Sequence, residues 1–216
     1  MTLGYDLYWS FRSPYSYLVT QRLVALEAEY DVRCDVRVVY PIAVRQGDFF
    51  AHVDPLWFSY LLRDVGRCGA FLDIPIRWPV PDPVVMDFAT RSYPAEQPYI
   101  YRLSHLGQLA TERGRGLAFL DAVSRLLWDG SVDRWHEGDH LARAAARAGL
   151  DLGEMDAVVS AEGDRLAAQI SANQAAQRVG GHYGVPLMVF EGEPFFGQDR
   201  FDQLQWRLLQ QGLTLR

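Results

Sequence analysis

The sequence contains no lysine, and all 21 of its basic residues are arginine. That removes lysine Schiff bases, pyridoxal-phosphate attachment and the P-loop lysine in one step. Cysteine is almost as scarce. Cys34 and Cys68 are far apart and form no C-x-x-C pair, so disulfide exchange lacks its usual sequence basis, and the two read as small buried hydrophobes. No apolar run approaches the roughly 18 residues needed to cross a bilayer. The N-terminus runs straight into a strand pattern, without a charged n-region and apolar h-region, which makes cytoplasm the expected location. Positive charge is also short, the formal net charge being -6. A nucleic-acid face needs clustered positive charge, so neither nucleic acid nor membrane is an expected partner. There is no H-E-x-x-H. His136 and His140 stand at i, i+4 around Glu137, but in a polar loop-to-helix stretch, and no metal site is assigned.

What is present begins with a β-α-β pattern. Tyr5–Trp9 and the valine-rich Arg33–Tyr40 read as strands, and Pro14 to about Tyr30 carries a helical stripe at Tyr17, Leu18, Leu23, Val24 and Ala28. A right-handed crossover makes the two strands parallel. From about Pro55 to Gly180 the pattern is helical. Trp57, Tyr60, Leu61, Val65, Cys68, Phe71 and Leu72 form one amphipathic helix, closed by Ile74-Pro75 and a proline-rich loop. Further helices are expected near Glu96–Glu112, Gly116–Trp128, Glu137–Ala148, Leu152–Ala161 and Asp164–Arg178, with the aromatic residues of this block in the core. Strands return at Pro186–Glu191 and Pro194–Phe196, and a helix closes the chain at about Asp199–Gln210. This order is an α/β fold: a thioredoxin-like β-α-β … β-β-α sheet with a large all-helical insertion. Residues 1–45 and 183–216 are assigned to the thioredoxin-like part and 46–182 to an insertion packed on the sheet.

Three places could carry chemistry. Ser13-Pro14 is a strong helix start, because serine caps an orphan N–H and proline has none to lose. The same helix end favours a nearby anion, and a serine hydroxyl can turn to donate to it. Lowering a thiol pKa from about 8.5 to about 6.5 needs roughly 2.7 kcal/mol. A favourable helix end supplies up to about 2 kcal/mol, and a hydrogen bond to a charged group about 1.5–3 kcal/mol. A ligand's thiol could therefore be activated without a metal. Second, Pro186 after Gly184-Val185 is tolerated as a strand's first residue. In a thioredoxin-like fold this X-Pro bond is cis, and Val185 presents its peptide groups to an extended peptide such as glutathione. Third, Gln198 and Asp199 open the last helix. Asp199 suits the helix dipole there, or the pair holds the amino and carboxylate groups of a γ-glutamyl unit.

Ser13-Pro14-Tyr15-Ser16-Tyr17, Gly184-Val185-Pro186 and Phe196-Gly197-Gln198-Asp199-Arg200, in this order, resemble the 2-hydroxychromene-2-carboxylate isomerases and kappa-class glutathione transferases, relatives of DsbA. The resemblance implies that Ser13 holds the glutathione sulfur, that Val185 before Pro186 pairs with the cysteinyl backbone, and that Gln198 and Asp199 bind the γ-glutamyl end. It implies glutathione as cofactor and a small aromatic carboxylate as substrate. The family isomerase interconverts 2-hydroxychromene-2-carboxylate and trans-o-hydroxybenzylidenepyruvate. Such proteins are often dimers, so by analogy a homodimer is implied. Two departures stand out. The family's Gly-Asn loop is replaced by "RQGDFFAHVDP", where Asp48, His52 and Asp54 are candidates for the missing asparagine's role. The family's Pro-x-Asn-Thr is Pro81-Asp82-Pro83-Val84 here, and a carboxylate substrate then calls for a nearby arginine, Arg77 or Arg91. Trp9, Phe11 and Tyr15 are candidate walls for a planar substrate. Beside the isomerase reading stand a kappa-like transferase and a non-catalytic glutathione- or peptide-binding protein.

Overall fold

The computed structural model describes residues 2–87, 93–94 and 96–216. Strand β1 (Leu3–Trp9) leads through helix α1 (Pro14–Glu29) to β2 (Val32–Val38), which runs parallel to β1 in register from Leu3 opposite Val32 to Trp9 opposite Val38. β2 alternates buried and more exposed residues, the period-two pattern of a strand covered on one face. The helical block follows: α2 (Ile42–Arg45), a 3-10 turn (Phe49–Ala51), α3 (Pro55–Leu72), α4 (Ile100–Glu112), α5 (Gly116–Trp128), α6 (His140–Arg147) and α7 (Leu152–Val179). The chain then returns as β3 (Leu187–Phe190), β4 (Glu193–Phe196), a 3-10 turn (Gln198–Arg200) and α8 (Phe201–Gln210). The sheet order is β2-β1-β3-β4, with β3 antiparallel to both neighbours.

β1 is covered on both faces. Tyr5, Leu7 and Trp9 enter the main core with α1, α4 and α5, while Tyr8 joins Leu187 and Val39 against Ala176 of α7. The insertion is tied to the β1–α1 junction by bonds across the core. Trp128 Nε1 donates to the Phe11 carbonyl at 3.1 Å, and the Tyr17 hydroxyl donates to the Pro75 carbonyl at 2.8 Å. Gly107 of α4 passes so close to Phe11 that an added Cβ would come within 2.7 Å of its ring. Among the described residues no helix is long and apolar enough to cross a membrane.

Several boundaries differ from the sequence reading. α7 is not among them: it holds the two helices expected at Leu152–Ala161 and Asp164–Arg178, which meet across a kink at non-helical Glu162 (φ -123°, ψ 22°), where the apolar pattern suggested a break. α4 begins at Ile100 rather than Glu96, and α6 at His140 rather than Glu137. Neither α2 nor the turn after it was expected. The larger correction concerns aromatic burial. Phe119, Trp128 and Trp135 are core, but Trp57, Tyr60 and Phe71 of α3 are exposed, Phe71 at 87%. Within α3 only Val65 and Gly69 are buried.

Candidate functional site

Ser13 is the N-cap of α1, in extended conformation (φ -120°, ψ 111°), with Pro14 following. Its Oγ accepts the Ser16 N–H at 3.1 Å and donates a long bond, 3.4 Å, to the Val185 carbonyl. Pro14 has no N–H, so the cap satisfies one orphan donor while that of Tyr15 has no partner among the described residues. The first turn holds no acidic residue, so the positive end of the helix dipole is not neutralised from within α1. The Val185–Pro186 bond is cis, and Pro186 precedes β3, whose Leu187 pairs with Tyr8 on β1. The sheet thus brings Ser13 and Val185 together from opposite ends of the chain.

These two residues form the floor of a cleft of about 410 Å³. Its aromatic walls include Tyr15, Phe49, Phe50, Trp57, Tyr60 and Trp78. An adjoining pocket of about 300 Å³ shares Phe50, Trp57 and Phe58 with it. The exposed aromatic residues at the start of α3 are therefore walls of the cleft. Tyr15 is also a wall, whereas Trp9 and Phe11 are fully buried in the core and do not line it. His182 stacks on Phe196, ring centres 3.7 Å apart, beside Ser13 and Val185 on the cleft surface. Its Nδ1 accepts the Gly184 N–H at 2.9 Å, which puts the neutral ring's proton on Nε2, and burial lowers its pKa.

Two arginines line the cleft, and both were missed in the sequence. Arg12 forms a two-pronged ion pair with Asp82 (3.1 and 2.9 Å), and Asp82 also accepts Trp78 Nε1 at 3.0 Å. Burial opposes the Arg12 charge, but the Asp82 carboxylate outweighs it and raises the pKa. The arginine beside Asp82 is thus Arg12. Arg77 pairs with Asp133 instead, and Arg91 lies outside the described residues. Arg45 ends α2 with no carboxylate partner among the described residues. Burial and, next, the charge of Arg178 push its pKa down to about 10. Of the candidates for the missing asparagine, Asp48 and His52 pair with each other in solvent, and Asp54 caps α3 by accepting the Leu56 N–H. No residue of that trio lines the Ser13 cleft.

Gln198 and Asp199 sit on the 3-10 turn rather than in the last helix, which begins at Phe201. Gln198 is buried, and its side chain is already engaged. Its Oε1 accepts Arg22 Nη2 at 2.6 Å, and its Nε2 donates to Cys68 Sγ at 3.6 Å. Cys68 in turn reaches Asp64, which accepts the Tyr15 hydroxyl at 2.6 Å. This chain of bonds links the turn to α3 and α1. Asp199 remains open to solvent beside Arg200, at 2.8 Å.

A family model described as a DsbA-like thioredoxin domain matches residues 6–209. The chain belongs to the DsbA-like thioredoxin family. Its DsbA-like sheet and helices are shared by solved structures. One is a 2-hydroxychromene-2-carboxylate isomerase, with a TM-score of 0.69 and 22% identity over 96% of this chain and 95% of that one. Another is the cytosolic disulfide reductase DsbM from Pseudomonas aeruginosa determined with GSH, with a TM-score of 0.58 and 17% identity over 97% and 98%. At these identities the likeness is one of fold. In sequence the chain is 25% identical to 2-hydroxychromene-2-carboxylate isomerase from Sphingobium xenophagum, over 97% of this chain and all of that protein. The chain is thus related in sequence to an isomerase and shares its fold with a disulfide reductase.

Proposed function

We propose that this protein is a cytoplasmic glutathione-dependent isomerase acting on an aromatic 2-oxo acid of the 2-hydroxychromene-2-carboxylate type. One observation carries the reading: in a chain without C-x-x-C, Ser13 at an acid-free helix start meets Val185 on the floor of an aromatic cleft. The full-length relationship to the Sphingobium isomerase supports it.

The residues present fit the cofactor at the sulfur and backbone positions. The Val185 N–H has no partner among the described residues, and its carbonyl holds only the long Ser13 bond. Ser13 would exchange that bond for one to the ligand sulfur, joined by the Tyr15 N–H, and together they favour its ionised form. Asp199 would take the ammonium of the γ-glutamyl end, while Gln198 positions the turn through Arg22 and Cys68 instead of binding directly. When bound, glutathione supplies a thiolate whose reversible addition to the ring-opened enone makes the double bond single, so that rotation and thiolate loss leave the trans isomer. The aromatic walls hold the planar substrate and exclude water, and the Arg12–Asp82 pair keeps that wall neutral.

The test is Ser13→Ala, assayed for glutathione-dependent isomerisation of 2-hydroxychromene-2-carboxylate. kcat/KM should fall about 100-fold, the scale of losing one neutral donor to a charged group. Loss of the cap should cost only about 1 kcal/mol, a Tm decrease of roughly 2–4 °C. Unchanged turnover would remove Ser13 from this role. A kappa-like transferase is the second reading, favoured by the adjoining pocket, which leaves room for a bulkier electrophile. Accumulation of a stable glutathione conjugate would distinguish it.

A further inference from the structure

Arg45 lies on the wall of the Ser13 cleft. Its Nη1 donates to Gln177 Oε1 at 3.1 Å and its Nη2 to the Tyr183 carbonyl at 3.0 Å. Both acceptors are neutral. Its Nε is buried and has no partner among the described residues. The charge that acts on it comes from Arg178, another cation. Arg12, the other arginine of the cleft, is neutralised by Asp82. Among the described residues the cleft therefore carries one uncompensated positive charge.

A guanidinium taken partly out of water without a counter-ion is costly, and such groups concentrate where a ligand completes them. The planar fork of arginine matches a carboxylate in a two-pronged pair. The bond to Tyr183 holds Arg45 against the loop that continues through Gly184 to Val185. Arg45 is also the residue of the altered 45–55 stretch whose polar group lines this cleft.

We propose that Arg45 is the carboxylate-binding residue of the cleft, seating the carboxylate of a ligand that also reaches Ser13. This rests on the glutathione-dependent isomerase reading for the ligands concerned. The carboxylate has two sources there, the glycyl end of glutathione and the 2-oxo acid itself. The site asks for the same chemistry from both.

The experiment measures binding of four probes by calorimetry: glutathione, its glycyl ethyl ester, trans-o-hydroxybenzylidenepyruvate and its methyl ester. Each is titrated into the wild type, Arg45→Gln and Arg45→Lys. On the wild type at least one acid should bind about 10-fold or more tighter than its ester, the effect of a charge-assisted hydrogen bond. Arg45→Gln should erase that preference, and Arg45→Lys, which keeps the charge but not the fork, should retain part of it. The acid that shows the preference identifies the source. Equal binding of acid and ester to the wild type, or a preference that survives in Arg45→Gln, overturns the proposal. Because the ester comparison is made on the wild type, a poorly folding variant does not remove the test. An Arg45-dependent preference for the oxo acid alone, with no glutathione binding at all, would sink the glutathione reading and leave Arg45 in place.

Discussion

Helices α3 and α5 belong to the same inserted block and are both rich in large apolar residues, yet they meet opposite fates. In α5, 10 of 13 residues are buried, between α1, α4 and α6. In α3, 2 of 18 are buried. An apolar stripe predicts that a helix has a sticky face; it does not predict what covers that face. For α5 the cover is the rest of the core. For the first turns of α3 it is a cleft, and walls that must receive a ligand cannot also be packed shut. α3 is held largely by polar contacts, Asp64 to Tyr15 and Cys68 to Gln198, together with buried Val65 and Gly69.

The sharpest way to test this contrast is at the end of α5. Trp128 is fully buried, edge-on to Trp78, and bonded to the Phe11 carbonyl two residues before Ser13. Trp128→Ala should cost about 3–5 kcal/mol, lowering Tm by roughly 6–20 °C. Calorimetry reads this directly. A loss under about 1 kcal/mol would mean that α5 is no more essential to the core than α3.

Acid should separate the two helices without a mutation. The Tyr15 hydroxyl lowers the pKa of Asp64, partial burial opposes it, and Arg67 lowers it further. A carboxylate whose folded pKa is depressed contributes its stability fully above the unfolded value, about 3.9. That contribution is lost as pH falls through the lower folded value. Hydrogen exchange, corrected for its intrinsic rate, should therefore show α3 losing protection before α5 does as pH falls below about 4, the unfolded carboxylate value. Asp64→Asn should weaken α3 protection already at neutral pH. Simultaneous loss in both helices would show that Asp64 is not what holds α3.

The same contrast explains which features were legible in the sequence. Ser13-Pro14 starts α1 as expected because capping is settled by two adjacent residues. The β-α-β and β-β-α order was legible for a similar reason, through periodicity within short segments. The cis bond before Pro186 followed from the fold, not from the residues alone. Arg12–Asp82, Arg45 in the cleft and the engaged side chain of Gln198 join residues far apart in sequence, and no local pattern announces such pairings. Arg12 did stand directly before the motif that carries the resemblance, and an arginine beside a capping serine was a signal that could have been followed. The exposure of α3 could not be read, since its stripe is that of a buried helix.

The smallest expected effect lies at the far end of α3. Phe71 is 87% exposed and one residue from the end of the helix, so Phe71→Ser removes no contact that folding requires. Its effect should fall within about 0.5 kcal/mol, less than roughly 2 °C in Tm. A larger loss would mean that another surface covers Phe71 in solution. A second copy of the chain is the occupant to test, because dimerisation makes Tm depend on protein concentration and a monomer's does not. Melting at concentrations 100-fold apart therefore separates the cases. An unchanged Tm in both measurements leaves the outer face of α3 bare, and the contrast with α5 then holds along the whole helix.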